Sequence, residues 1–106
     1  MPFDGISGDS VLAILLAGRE KIERGWCKGA ALDDFGRVCA GHAINMFSVC
    51  RTAEQKQASV YLERELPYKV QWGMIQVYND SPATTHADIL ALYDRAIATR
   101  MSEINV

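Results

Sequence analysis

Two stretches of apolar residues recur at helical spacing near opposite ends of the chain, and a glycine-studded segment breaks the pattern after the first. From Val11 to Arg24, the residues Leu12, Leu15, Leu16, Arg19 and Ile22 fall near one face, with charges crowding the later turns. Near the other end, Ile89, Leu90, Tyr93, Ala96 and Ile97 stand at i, i+1, i+4, i+7 and i+8. Such stripes are what an amphipathic helix shows when one side packs on a core. Two amphipathic helices each need an apolar partner, so the chain is expected to be mainly α. Asp9 or Ser10 suits the N-cap of the first helix. Gly25 is expected to end it in the left-handed conformation that glycine adopts without steric cost.

The segments between are read in the same way. Lys28–Leu32 and Arg37–Val38 flank Asp33-Asp34-Phe35-Gly36, an acidic turn closed by glycine, which suggests a short β-hairpin lying on the helices. Cys39, Ala40, Ala43, Ile44 and Phe47 predict a second helix reaching about Cys50, with small residues that let a neighbour come close. A third is expected from about Ala53 to Leu66, with Ala58, Tyr61, Leu62 and Leu66 inward and Pro67 as its stop. Residues 68–79 fit a short helix or a strand, and the helix is preferred. Thr85 to Asp88 reads as a capping box opening the final helix. The expected architecture is a compact bundle of four to five helices with a short β-hairpin between the first and second helices. One domain over residues 1–106 is expected, with residues 1–8 an irregular lead-in and residues 102–106 a frayed end.

Size and charge bound the function. At 106 residues the chain is long enough to bury about 65% of its unfolded surface without metal or disulfide staples. A formal charge of −2 and the lack of any run of Lys and Arg argue against nucleic acid as a partner. The longest apolar run, Val11 to Ala17, falls far short of the ~20 residues of a membrane span, so no membrane partner is expected. The first ten residues do not read as a signal peptide, and Cys27, Cys39 and Cys50 make an odd number. A cytoplasmic protein with reduced thiols is the expectation.

Several residue sets carry possible chemistry. Cys27, His42 and Asn79 occur in the order of a Cys-His-Asn hydrolase, which would require a thiol–imidazole hydrogen bond and an oxyanion hole. Cys27, Cys39 and His42, with His86 or Cys50 as a fourth group, supply zinc-type ligands, but paired Cys-x-x-Cys knuckles are absent. For both cysteines the simpler role is a small apolar plug where the ribbon meets the core. Arg37 is expected to form an internal clamp on Asp80 or a helix C-terminus, with capture of an anionic ligand second. Asn79, Asp80, Thr85 and His86 flank the start of the last helix, where exposed amides make a possible anion site. Their ordinary role is capping, with His86 on the surface of the first turn. Trp26 completes a candidate ligand-binding set of Trp26, Arg37, Asp80, Thr85 and His86. No catalytic residue, no metal and no cofactor is assigned.

The strings GWCKGA, GRVCAGHAI and YNDSPATTHADILALYDRAI together resemble a family of small bacterial and phage-associated proteins known as domain of unknown function 6197. The resemblance runs from the first helix to about Ile97. It implies no particular activity, and phage carriage would suit an accessory or host-interaction role. Members read Cys-Ala-Leu-Gly-Ala-Ile where this chain has Cys39-Ala40-Gly41-His42-Ala43-Ile44, so the resemblance gives no support to a mechanism built on His42. The expected function is a small non-enzymatic interaction or accessory protein of unknown specific role, acting by protein or ligand binding, with an unknown protein partner and a homodimer as a possible state. The alternatives are a ligand-binding protein or hydrolase at the Cys27/His42/Asn79 corner, and a structural zinc domain.

Overall fold

The structure is a computed structural model that describes residues 9–46, 48–67 and 74–104. Among these residues four α-helices occur: α1 (Ser10–Arg24), α2 (Ala53–Arg64), α3 (Met74–Asp80) and α4 (His86–Ile104). A 3-10 turn at His42–Ile44 lies between α1 and α2. Helix α1 packs most extensively on α4, and also against α2 and the 3-10 turn, while α2 closes on α4. Leu12, Leu15 and Ile22 of α1 meet Ile44, Leu62, Ile75, Ile89, Leu92 and Tyr93 in one buried cluster. None of the described helices is long and apolar enough to cross a membrane.

Local chemistry accounts for the helix boundaries. The Asp9 carboxylate accepts the Leu12 amide at 2.7 Å and caps α1. Thr52 and Gln55 form a reciprocal capping box at α2, and Thr85 and Asp88 exchange side-chain and backbone bonds at the start of α4. The expected inward face of the third predicted helix is confirmed, since Ala58, Tyr61, Leu62 and Leu66 are all buried. Regular helix there ends at Arg64, just before Leu66 and Pro67. On α4 the buried stripe is Ile89, Leu92, Tyr93, Ala96 and Ile97, and Leu90 is only half-buried.

Several expectations need correction. Among the described residues of the helix predicted from Cys39 to about Cys50, a loop with one 3-10 turn stands in its place, the turn ended by Asn45 in the left-handed region at φ 57°. Tertiary bonds hold the backbone instead, and one of them takes a carbonyl that a helix would have used. Cys39 N–H donates to the Ala31 carbonyl, the Ala40 N–H goes to Asn79, and the Ala40 carbonyl accepts the Tyr93 hydroxyl. The predicted β-hairpin is not formed as paired strands. Val38 makes two isolated bridges instead, parallel to Trp26 and antiparallel to Leu32. Gly29 turns left-handed at φ +76° between them and uses up the residues that a strand would need.

Gly25 is extended, at φ 176°, rather than left-handed. Its lack of a side chain serves a close approach: a Cβ there would stand 2.7 Å from Cγ of Arg37. At the far end α4 stays helical through residues 102–104, where fraying was expected, and Glu103 there accepts the Tyr61 hydroxyl. The lead-in at 1–8, residues 68–73 of the ambiguous stretch, Phe47 and residues 105–106 lie outside the described residues. The remainder of the ambiguous stretch is α3, a helix as preferred.

Candidate functional site

The corner is organised by Asn79 in the last turn of α3, whose side chain is fully buried. Its Oδ1 accepts the Trp26 indole N–H at 2.7 Å and the Ala40 amide at 2.9 Å. Its Nδ2 donates to the Cys27 carbonyl at 3.1 Å and to Asp80 Oδ1 at 2.9 Å. Two donors on one side and two acceptors on the other fix the orientation of the amide. Asp80 extends the buckle: Oδ1 also accepts the Gly29 amide at 2.9 Å, and Oδ2 accepts the Gln76 side-chain amide at 2.7 Å. Burial pushes the Asp80 carboxyl up, but these bonds and the nearby Lys28 charge outweigh it and hold the group below the usual range. The Asn79-Asp80 pair therefore ties the loop after α1 to the end of α3.

The aromatic and sulfur groups close the same corner. Half-buried Trp26 stacks on His86 with ring centroids 5.8 Å apart, and Lys28 Nζ lies 5.5 Å from the indole centroid. His86 is not a free surface residue, because its Nε2 donates to the Ile22 carbonyl at 2.6 Å, near the end of α1. Cys27 and Cys39 are buried free thiols, and Cys50 is an exposed one. The Cys27 sulfur lies 3.3 Å from the carbonyls of both Ala30 and Arg37. Cys39 Sγ accepts the His42 amide at 3.4 Å and lies 3.6 Å from Gln76 Oε1. Burial pushes both thiols above the ordinary cysteine value, the opposite of an activated nucleophile. Among the described residues no three His, Cys, Asp or Glu side chains come together in an arrangement that could hold a metal ion.

The predicted site residues thus separate. Trp26, Asp80 and His86 share the Asn79 corner, while Thr85 is engaged in capping α4. Arg37 does form an internal clamp, but on Asp33 and not on Asp80, with Nε 2.5 Å from Asp33 Oδ2. Asp33 Oδ1 accepts the Phe35 and Arg37 amides at 3.0 and 2.9 Å, so a single carboxylate ties the turn. His42 contributes its backbone amide to Cys39, and its ring lines a different feature.

That feature is an open recess of about 210 Å³ lined by Lys21, Arg24, Gly36, Val38 and His42. Lys21 and Arg24 of α1 and His42 of the 3-10 turn line it together with Gly36 and Val38 of the loop that carries Phe35. Lys21 and Arg24 were not among the sequence candidates. Their i, i+3 spacing puts them on one helix face, but nothing local reveals that the loop folds back to set His42 and Gly36 beside them.

A family model described as "Family of unknown function (DUF6197)" matches residues 7–99. Neither a curated protein nor a solved structure matches the chain.

Proposed function

Since the chain belongs to the DUF6197 family of unknown function, we propose that it is a small non-enzymatic interaction protein, acting by surface complementarity with a protein partner. The observation that carries this reading is the closure of the Asn79 corner. Every polar group of Asn79 is spent on Trp26, Cys27, Ala40 and Asp80, and both neighbouring thiols are kept protonated by burial. A hydrolase would instead present a thiol with a lowered pKa beside an imidazole. Six large apolar side chains are offered to solvent among the described residues, and two of them share one segment: Leu32, 54% exposed, at the antiparallel Val38 bridge and Phe35, 83% exposed, in the Asp33 turn. An exposed aromatic ring on a braced loop is the kind of anchor that protein interfaces use.

Labelling of the native protein with a chromogenic disulfide reagent tests the proposal. Cys50 is expected to react at once, and Cys27 and Cys39 only after denaturant is added. Fast modification of Cys27 in the folded protein would replace this reading with a reactive pocket at the corner.

A further inference from the structure

Resting on the reading of the chain as a protein-binding module, we propose that the recess lined by Lys21, Arg24 and His42 receives an acidic side chain of the partner, while Phe35 and Leu32, on the loop whose Gly36 and Val38 line the recess, take an adjacent apolar residue. Charge is the first argument. Lys21 and the His42 ring have no side-chain partner among the described residues, although the chain as a whole is acidic. The acids on the same elements are already engaged: Glu20 with Arg24, Glu23 with Arg19 at 3.5 Å, and Asp33 with Arg37. Asp34, on the loop, is the exception. The pair of Arg24 with Glu20 is an exposed i, i+4 contact, a weak bond that an incoming carboxylate displaces at little cost.

Shape and rigidity are the second argument. At about 210 Å³ the recess is smaller than the ~300–1,000 Å³ of enclosed small-molecule sites, and its mouth is open. It suits one side chain presented by a larger surface. The loop that lines it is braced by the Asp33 turn, with the Arg37 guanidinium 5.2 Å from the Phe35 ring centroid. Phe35 is therefore held outward before any partner arrives, which lowers the ordering cost of binding. An apolar anchor next to a basic recess specifies a segment in which an acidic residue neighbours a hydrophobic one.

The test uses the full chain, labelled with nitrogen-15, and a blocked hexapeptide alternating glutamate and leucine. Amide shifts are expected at Lys21, Arg24, Gly36, Val38 and His42. The glutamine counterpart of the peptide is expected to bind about fivefold more weakly or worse. Lys21→Glu, an exposed change that leaves the fold intact by its amide spectrum, is expected to weaken the glutamate peptide by a similar factor, and Phe35→Ser to weaken both peptides. Binding is expected to fall as salt is raised.

Equal binding of the two peptides overturns the proposal, as do shifts confined to other elements or none at millimolar peptide. So does inorganic phosphate giving the same shifts as the peptide, which would mark a simple anion site. Concentration-dependent shifts at these amides without any peptide would assign the face to a second copy of the chain and also overturn it. Failure of this titration with Cys27 still slow to label rejects the acidic ligand alone. Fast labelling of Cys27 rejects the underlying reading.

Discussion

Asn79 is the residue on which the corner depends. Replacing it by leucine, which has nearly the same shape, leaves the Trp26 indole N–H, the Ala40 amide and the Cys27 carbonyl without their partner. Each buried group left unpaired costs about 1–3 kcal/mol, so Asn79→Leu is expected to lower unfolding free energy by roughly 3–5 kcal/mol. Urea unfolding followed by tryptophan fluorescence measures it. A loss under 1 kcal/mol would mean that water replaces those bonds and that the corner is more open than described. The sequence placed Asn79 and Asp80 beside the start of the last helix and suggested local capping. Trp26, Cys27, Gly29 and Ala40, which they bond, lie 39 to 53 positions back along the chain, at a distance that no spacing rule reaches. The Asp33 turn, by contrast, could be read directly, because its bonds span only two to four positions.

Helix α1 illustrates how elements are joined. Gly18 faces α4 so closely that a Cβ would lie 2.9 Å from Cε2 of Tyr93 and 2.7 Å from Cγ2 of Ile44. Alanine is the better helix former by about 1 kcal/mol, but both neighbouring groups are buried and cannot retreat. Gly18→Ala is expected to destabilise by about 1–3 kcal/mol, read as a fall in Tm of several degrees. A rise in Tm would show that the helices slide apart without cost. At the N-terminus of α1, Asp9 both caps the helix and receives the Arg100 guanidinium at 2.7 Å, across from α4. Asp9→Asn keeps a capping oxygen and loses the charge, whereas Asp9→Ala loses both. Alanine is therefore expected to cost about 1 kcal/mol more than asparagine in denaturant unfolding. Equal losses would assign the whole effect to the ion pair. The cap was legible in the sequence and the guanidinium was not.

The whole molecule is held by carboxylates that folding makes more acidic. The Arg100 side chain holds Asp9 below its ordinary value. At Asp33 and Asp80 burial acts upward, but hydrogen bonds prevail and hold each carboxyl down. A group depressed in the folded state stabilises fully above its unfolded value, about 3.9 for Asp, and that stability is lost as pH falls through the folded value. Glu63 acts in the opposite sense, since burial raises it, but it is one group against three. Unfolding free energy is expected to drop between pH 5 and pH 3 and to be flat near neutrality, as urea titrations at several pH values would show. Stability that rose on acidification would contradict the carboxylate partners assigned here. At the alkaline end, the raised thiols of Cys27 and Cys39 contribute stability that is lost as pH climbs above about 8.5.

Periodicity and capping chemistry sufficed for α1, α2 and α4, because a helix is made from bonds four residues apart and its boundary signals are equally local. They also picked out Cys39, Ala40, Ala43 and Ile44 as one apolar set, and all four are buried. Whether residues 26–46 became hairpin and helix or a bridged loop was settled by groups far away in the chain. Tyr93 and Asn79 claim the backbone of Ala40, and a long-range bond of that kind competes on equal terms with a local one. The basic recess has the same origin, since Lys21 and Arg24 meet His42 and Gly36 only when the loop is folded against α1.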